Sequence, residues 1–245
     1  MAVALLKLAF RCADRVFFYN TADREEYVKR GIVSPEKAFL VAGSGIDTRR
    51  FLPRPLPDSR LLQAAYVGRL LREKGVPDLF KAVRLAAAEG IQLRLHLIGD
   101  CDPDNPSALS PDDVRDAIAD IPVTWHGMVA DVRPLIAECH VVVLPSQGEG
   151  IPLALLEGAA MGRALIATDV PGCRDVVIEG KTGLLVPPGD IDALVAAIQR
   201  FANSPQTVSA MGQAAREDVM RRFDTEIVNA EVLSAYHALL ASKAR

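Results

Sequence analysis

Two short stretches hold the residues best suited to chemistry. In GRLLREKG (68–75), Arg69 and Lys74 stand between Gly68 and Gly75. That combination suits a diphosphate, because the cations supply charge while the glycines let backbone amides approach closely. In QGEGIPLALLE (147–157), Glu149 and Glu157 have seven residues between them. Paired carboxylates are also the equipment of a glycoside hydrolase, but there they must flank one bond at a set separation. One of these lies in a loop and the other inside a helix, so equivalent positions are not implied. Taken singly, a Glu near a helix start serves equally well to complement the dipole, and a lone Arg or Lys to solvate a surface.

The elements around these residues follow from periodicity. Val141–Leu144 is a β-branched run that reads as a buried strand, stopped by Pro145. A loop with Gly148 and Gly150 follows, and Pro152 suits the first turn of a helix over 153–161. A strand feeding a helix N-terminus through such a loop presents free amides and a positive dipole end to an anion. Further strands are expected at 63–67, 93–98, 123–126, 164–168 and 183–186, alternating with helices near 74–88, 111–119 and 132–139. Three helices close the chain, near 191–202, 208–222 and 225–241, with Asp190 and Asp224 as caps. Ahead of them come a helix over 1–13, a strand over 15–20, a helix over 22–30 capped by Thr21, and a strand over 38–42. Alternating apolar strands and helices predict an α/β, doubly wound, Rossmann-like parallel sheet with loops gathered along one edge. Residues 51–57 hold three prolines and read as the clearest linker, with a boundary near 58.

Composition narrows the function. Half of the 245 residues are hydrophobic and 24% charged, as in a soluble globular protein, and a net charge of −3 argues against nucleic acid as a partner. Cys12, Cys101, Cys139 and Cys173 lack disulfide or zinc spacing, which fits reduced thiols in a cytoplasmic protein. The four histidines are scattered, and no metal site is expected. The apolar start is interrupted by Lys7 and Arg11, unlike a signal peptide, and no stretch reaches membrane-span length. No dinucleotide fingerprint, phosphate loop or nucleophile elbow occurs.

Six pieces in order, VAGSGIDTRRF (41–51), YVGRLLREKG (66–75), LHLIGD (95–100), VTWHGMVADV (123–132), VVVLPSQGEGIPLALLEGAAMG (141–162) and GKTGLLVPPGD (180–190), resemble the nucleotide-sugar-binding half of the group 1 retaining glycosyltransferases of GT-B fold. The resemblance implies a C-terminal GT-B half at 59–204 with C-terminal helices at 205–245. It also implies a linker at 41–58 and, at 1–40, the tail of an N-terminal acceptor domain. It implies that Arg69 and Lys74 neutralise the donor's pyrophosphate and that Glu149 acts with them on the sugar and α-phosphate. Gly45, Gly68, Gly150, Ile151, Pro152 and Leu153 would surround the donor. Met128 and its neighbour would face the base, and Glu157 the ribose. The expected substrate is a nucleoside-diphosphate sugar, with no further cofactor and no metal, and the expected acceptor is a carbohydrate or a lipid-linked acceptor. The family's asparagine is Ser44 here, and its usual alanine after the second glutamate is Gly158. The setting implied is the cytoplasm, with peripheral membrane contact and a separate acceptor-domain chain as possible additions. A non-catalytic donor-binding module of a split enzyme is the alternative reading.

Overall fold

The computed structural model describes residues 2–243. Met1, where the first helix was expected to begin, and residues 244–245 lie outside the described residues. The chain opens with α1 (Ala2–Cys12), β1 (Val16–Phe18), α2 (Thr21–Lys29) and β2 (Ala38–Leu40). The two strands pair in parallel, over a small core of Phe18, Val33 and Ala38. The cap of α2 is Asn20, not the expected Thr21: the Asn20 side chain accepts from the Asp23 amide at 2.7 Å. Thr21 instead turns to the larger unit, where its hydroxyl donates to Asp175 at 3.3 Å.

The larger unit holds β3 (Leu62–Val67), α3 (Val76–Ala88), β4 (Leu93–Ile98), α4 (Pro111–Ile118), β5 (Val123–Gly127), α5 (Arg133–Ala137), β6 (Val141–Leu144), α6 (Leu153–Ala160), β7 (Ala164–Thr168), α7 (Pro171–Val176), β8 (Gly183–Val186), α8 (Ile191–Ala202), α9 (Pro205–Arg222) and α10 (Thr225–Lys243). Its six strands run parallel in the order β5-β4-β3-β6-β7-β8. β6 and β7 are buried at every position, as expected of strands covered by helices on both faces. One continuous apolar core packs the sheet against α3, α6, α8 and α9. The doubly wound parallel sheet read from the sequence is the one observed.

Two helical details differ from expectation. Lys74 is not in α3: Arg72–Lys74 form a 3₁₀ turn, Gly75 takes φ +71, and α3 starts afresh at Val76. The six-residue α7 lies between β7 and β8, a stretch to which the sequence analysis assigns no element.

The sheet order places the site. The chain winds outward from β3 through β4 to β5, then returns to the middle and winds the other way from β6 to β8. Adjacent β3 and β6 therefore form the topological switch point, the place beyond the strands' carboxyl ends at which open sheets of this kind bind ligands.

Candidate functional site

The loops after β3 and β6 meet at this switch point. The Gln147 amide donates to the Glu73 carbonyl at 2.8 Å, and the buried Ser146 hydroxyl reaches the same oxygen at 3.3 Å. The Thr168 hydroxyl at the end of β7 donates to the Ser146 carbonyl from beneath. Gly75 makes the approach possible, because a Cβ there would lie 1.9 Å from the Pro145 carbonyl oxygen. Its positive φ excludes most other residues independently.

Across this junction Lys74 Nζ donates to Glu149 Oε1 at 2.7 Å, with the two side chains 25% and 10% exposed. An ammonium has three donors, so the pair commits only one of them. Glu149 leads into Gly150 and then α6, whose N-cap is Pro152. The first amides of α6 have no partner within the helix, and the positive end of its dipole lies there. Lys74 and Glu149 are thus in direct contact, and Gly150 follows Glu149 in the chain.

Arg69 is on the same loop but turned toward β4. Its Nη1 donates to Asp102 at 2.9 Å in an exposed pair, while its carbonyl accepts from the buried Tyr66 hydroxyl at 2.8 Å. An exposed ion pair of this kind contributes roughly 0–1 kcal/mol and is easily exchanged for another anion. Gly68, between Tyr66 and Arg69, donates its amide to the Ile98 carbonyl at 2.9 Å, which ties the β3 and β4 loops together. Nothing in the sequence pointed to Asp102 as the partner of Arg69.

Glu157 opens on a neighbouring cavity of about 380 Å³ with Gly45, Asp47 and Arg50 on one wall, Ala130 and Asp131 on another, and Leu153 beside it. Burial pushes the Glu157 carboxyl up from 4.5 to about 7, and only the charge of Arg50 works against that shift. Asp131 faces the same space but is tied to Arg133 through both carboxylate oxygens, at 2.8 and 2.7 Å. That hydrogen bonding holds its carboxyl down at about 2. Gly45, Leu153 and Glu157 are therefore gathered in one place, and the sequence reading did not foresee Arg50 or Asp131 beside them. Ile151 faces a different hollow, with Tyr19 and Phe223. Met128 is 81% exposed, and the cavity is lined instead by Ala130, Asp131 and Val132 of the same loop.

Histidines distant in sequence also meet: His96 and His126 stack, with Nδ1 and Nε2 3.1 Å apart. Among the described residues, no group of three or more His, Cys, Asp or Glu is arranged to hold a metal ion. Among the same residues, no helix is long and apolar enough to cross a membrane.

The family model for group 1 glycosyl transferases matches residues 62–204. The capsular polysaccharide biosynthesis glycosyltransferase CapM of Staphylococcus aureus is 27% identical over 96% of this chain and 64% of its own length. An MMP alpha-(1->4)-mannosyltransferase of Mycolicibacterium hassiacum is 28% identical over 98% of the chain and 57% of its own length. Among solved structures, sucrose-phosphate synthase of Thermosynechococcus elongatus superposes with TM-score 0.83 at 28% identity, covering 98% of this chain and 62% of that one. Anabaena HepE, solved with UDP, has TM-score 0.84 at 20% identity over 97% of this chain and 68% of its own, a likeness of fold. The chain spans less than two thirds of the length of the two curated relatives named above. On the family match and the parallel sheet that carries it, the chain belongs to the group 1 glycosyl transferases.

Proposed function

We propose that this chain is the donor-binding part of a retaining glycosyltransferase that uses a nucleoside-diphosphate sugar. The observation that carries the reading is the meeting of Lys74, Glu149 and the α6 N-terminus at the switch point, next to the cavity holding Glu157. In this reading the diphosphate lies along the loops after β3 and β6. It takes charge from Lys74 and, once released from Asp102, from Arg69, and hydrogen bonds from the amides of Gly150, Ile151 and Leu153. Pro152 has no amide to give. Negative charge on the diphosphate grows as the sugar–phosphate bond breaks, so these donors act most strongly in the transition state. Positive side chains supply that stabilisation, and the reading calls on no cofactor or metal beyond the donor.

Glu157 accepts hydrogen bonds from the ribose hydroxyls, and the backbone of 127–132, including Met128, faces the base. Glu149 positions Lys74 and the transferred sugar. The acceptor is a carbohydrate or lipid-linked glycan of polysaccharide biosynthesis, met in the cytoplasm or at the membrane face. A thermal-shift screen of UDP-, GDP- and ADP-sugars tests the reading. A donor at a hundred times its dissociation constant adds about 2.7 kcal/mol to stability. No shift with any of the three contradicts it. Product analysis with labelled donor then reports retention and transfer.

A further inference from the structure

Residues 48–57 include three prolines, which have no amide to donate, and this stretch finds many of its partners in side chains of the larger unit. Arg133 donates to the Arg50 carbonyl at 3.1 Å. The wholly buried Arg163 donates to the carbonyls of Pro55 at 3.4 Å and Ala137 at 3.3 Å. His140 meets the Pro57 carbonyl at 3.1 Å. Arg216, on α9, donates to the carbonyls of Phe51 at 2.6 Å and Thr48 at 3.2 Å.

Arg216 differs from the others in one respect: the same guanidinium also donates to the carbonyl of Ala160, the last residue of α6. α6 carries Glu157, while 44–51 carries Gly45, Asp47 and Arg50 on the facing wall of the cavity. One planar fork therefore ties together the two segments that supply these lining residues. The near end of 44–51 is fixed separately at the corner between α9 and α10. There the Ile46 amide donates to the Phe223 carbonyl at 2.8 Å, and the Thr225 amide to the Ile46 carbonyl at 3.1 Å. Gly45 allows that contact, because a Cβ on it would lie 3.0 Å from the Phe223 oxygen and the Thr225 Cα. Arg216 secures the far end, and its charge also suits the negative C-terminus of α6.

We propose that Arg216 is a positioning residue for the nucleoside cavity, setting the distance between Arg50 on the loop and Glu157 on α6 without touching the ligand. The proposal rests on the donor-site reading above. Arginine suits the task because its rigid fork reaches several acceptors at once, whereas lysine offers one nitrogen.

The test compares wild type, Arg216→Met and Arg216→Lys by titration calorimetry with UDP, GDP and ADP, and by NMR titration of the Glu157 carboxyl without nucleotide. Arg216→Met should weaken the preferred nucleotide about tenfold or more. It should also move the Glu157 titration upward, because Arg50 is released from its place. Arg216→Lys should recover part of both effects. If Arg216→Met does not fold, Arg216→Lys decides, with a smaller shift in the same two readouts. Lowered thermal stability with unchanged affinity and an unchanged Glu157 titration overturns the positioning role. If wild type binds none of the three nucleotides, the donor reading falls, and the Glu157 titration in the free protein still decides whether Arg216 sets the spacing.

Discussion

Replacing Glu157 by Gln should make the ligand-free protein more stable at pH 8 and a poorer nucleotide binder at the same time. Burial raises the Glu157 carboxyl from 4.5 to about 7 in the folded chain. Between those values the folded state holds a proton that the unfolded state has lost, so wild-type stability falls as pH rises through that window and levels off above about 7. At about 1.36 kcal/mol for each pH unit, the span from 4.5 to about 7 sets an upper bound of about 3 kcal/mol. Glutamine does not ionise. Denaturant unfolding of both proteins from pH 4 to pH 8 should show near-equal stabilities at the acid end and a growing advantage for Glu157→Gln toward pH 8. Calorimetry should show the opposite trend in function. A charged hydrogen bond to ribose hydroxyls is worth about 1.5–3 kcal/mol, so Gln should weaken the nucleotide by about tenfold or more at pH 8. Wild-type affinity should also fall between pH 8 and pH 6 more than that of Glu157→Gln, which removes the nucleotide's own titration from the comparison. A variant equally or less stable than wild type at pH 8, or a difference independent of pH, refutes the reasoning.

Further consequences are open to simple measurement. Lys74→Ala should weaken nucleoside-diphosphate binding about tenfold or more by calorimetry, because it removes a charge-assisted donor and strands the mostly buried Glu149. Gly75→Ala should lower unfolding stability by roughly 1–3 kcal/mol or more, since both its φ of +71 and the Pro145 carbonyl forbid a side chain. Restoring the family's alanine with Gly158→Ala should destabilise this chain by about 1–3 kcal/mol in denaturant unfolding, because the new methyl would lie 2.5 Å from Val142 Cγ2. Thiol labelling of the native protein at pH 8 should be fast at the exposed Cys12 and slow at Cys139 and Cys173, which are buried and pushed up to about 12.

The strands were legible because each is a short apolar run between turn residues, and β6, β7 and β8 stand where they were expected. The pairing of Lys74 with Glu149 follows from loops after parallel strands sharing an edge, while Glu157 lies within α6 and faces a separate cavity. What escaped was of two kinds. Short elements lack a period to detect: α7 has six residues, and its Pro171 at the first turn was the one available signal. Gly75 likewise signalled a break between Lys74 and α3 that the helical spacing beyond it concealed. The second kind is contact between distant residues, where a side chain serves backbone carbonyls that no motif marks. Arg216 meets Thr48, Phe51 and Ala160, and Arg163 meets Pro55, so the stretch read as a linker from its prolines is held along much of its length. Arg69 lies on the loop after β3, but its orientation toward Asp102 depends on the loop after β4, which sequence spacing does not relate to it.

In the proposed function a diphosphate seats between the Lys74–Glu149 pair and the leading amides of α6. A crystal structure of the protein with the nucleoside diphosphate that gives the largest thermal shift tests it most directly. Phosphate oxygens should lie within hydrogen-bond reach of Lys74 Nζ and the amides of Gly150, Ile151 and Leu153, with the ribose against Glu157. A nucleotide bound elsewhere on the chain, with the Lys74–Glu149 pair untouched, contradicts it.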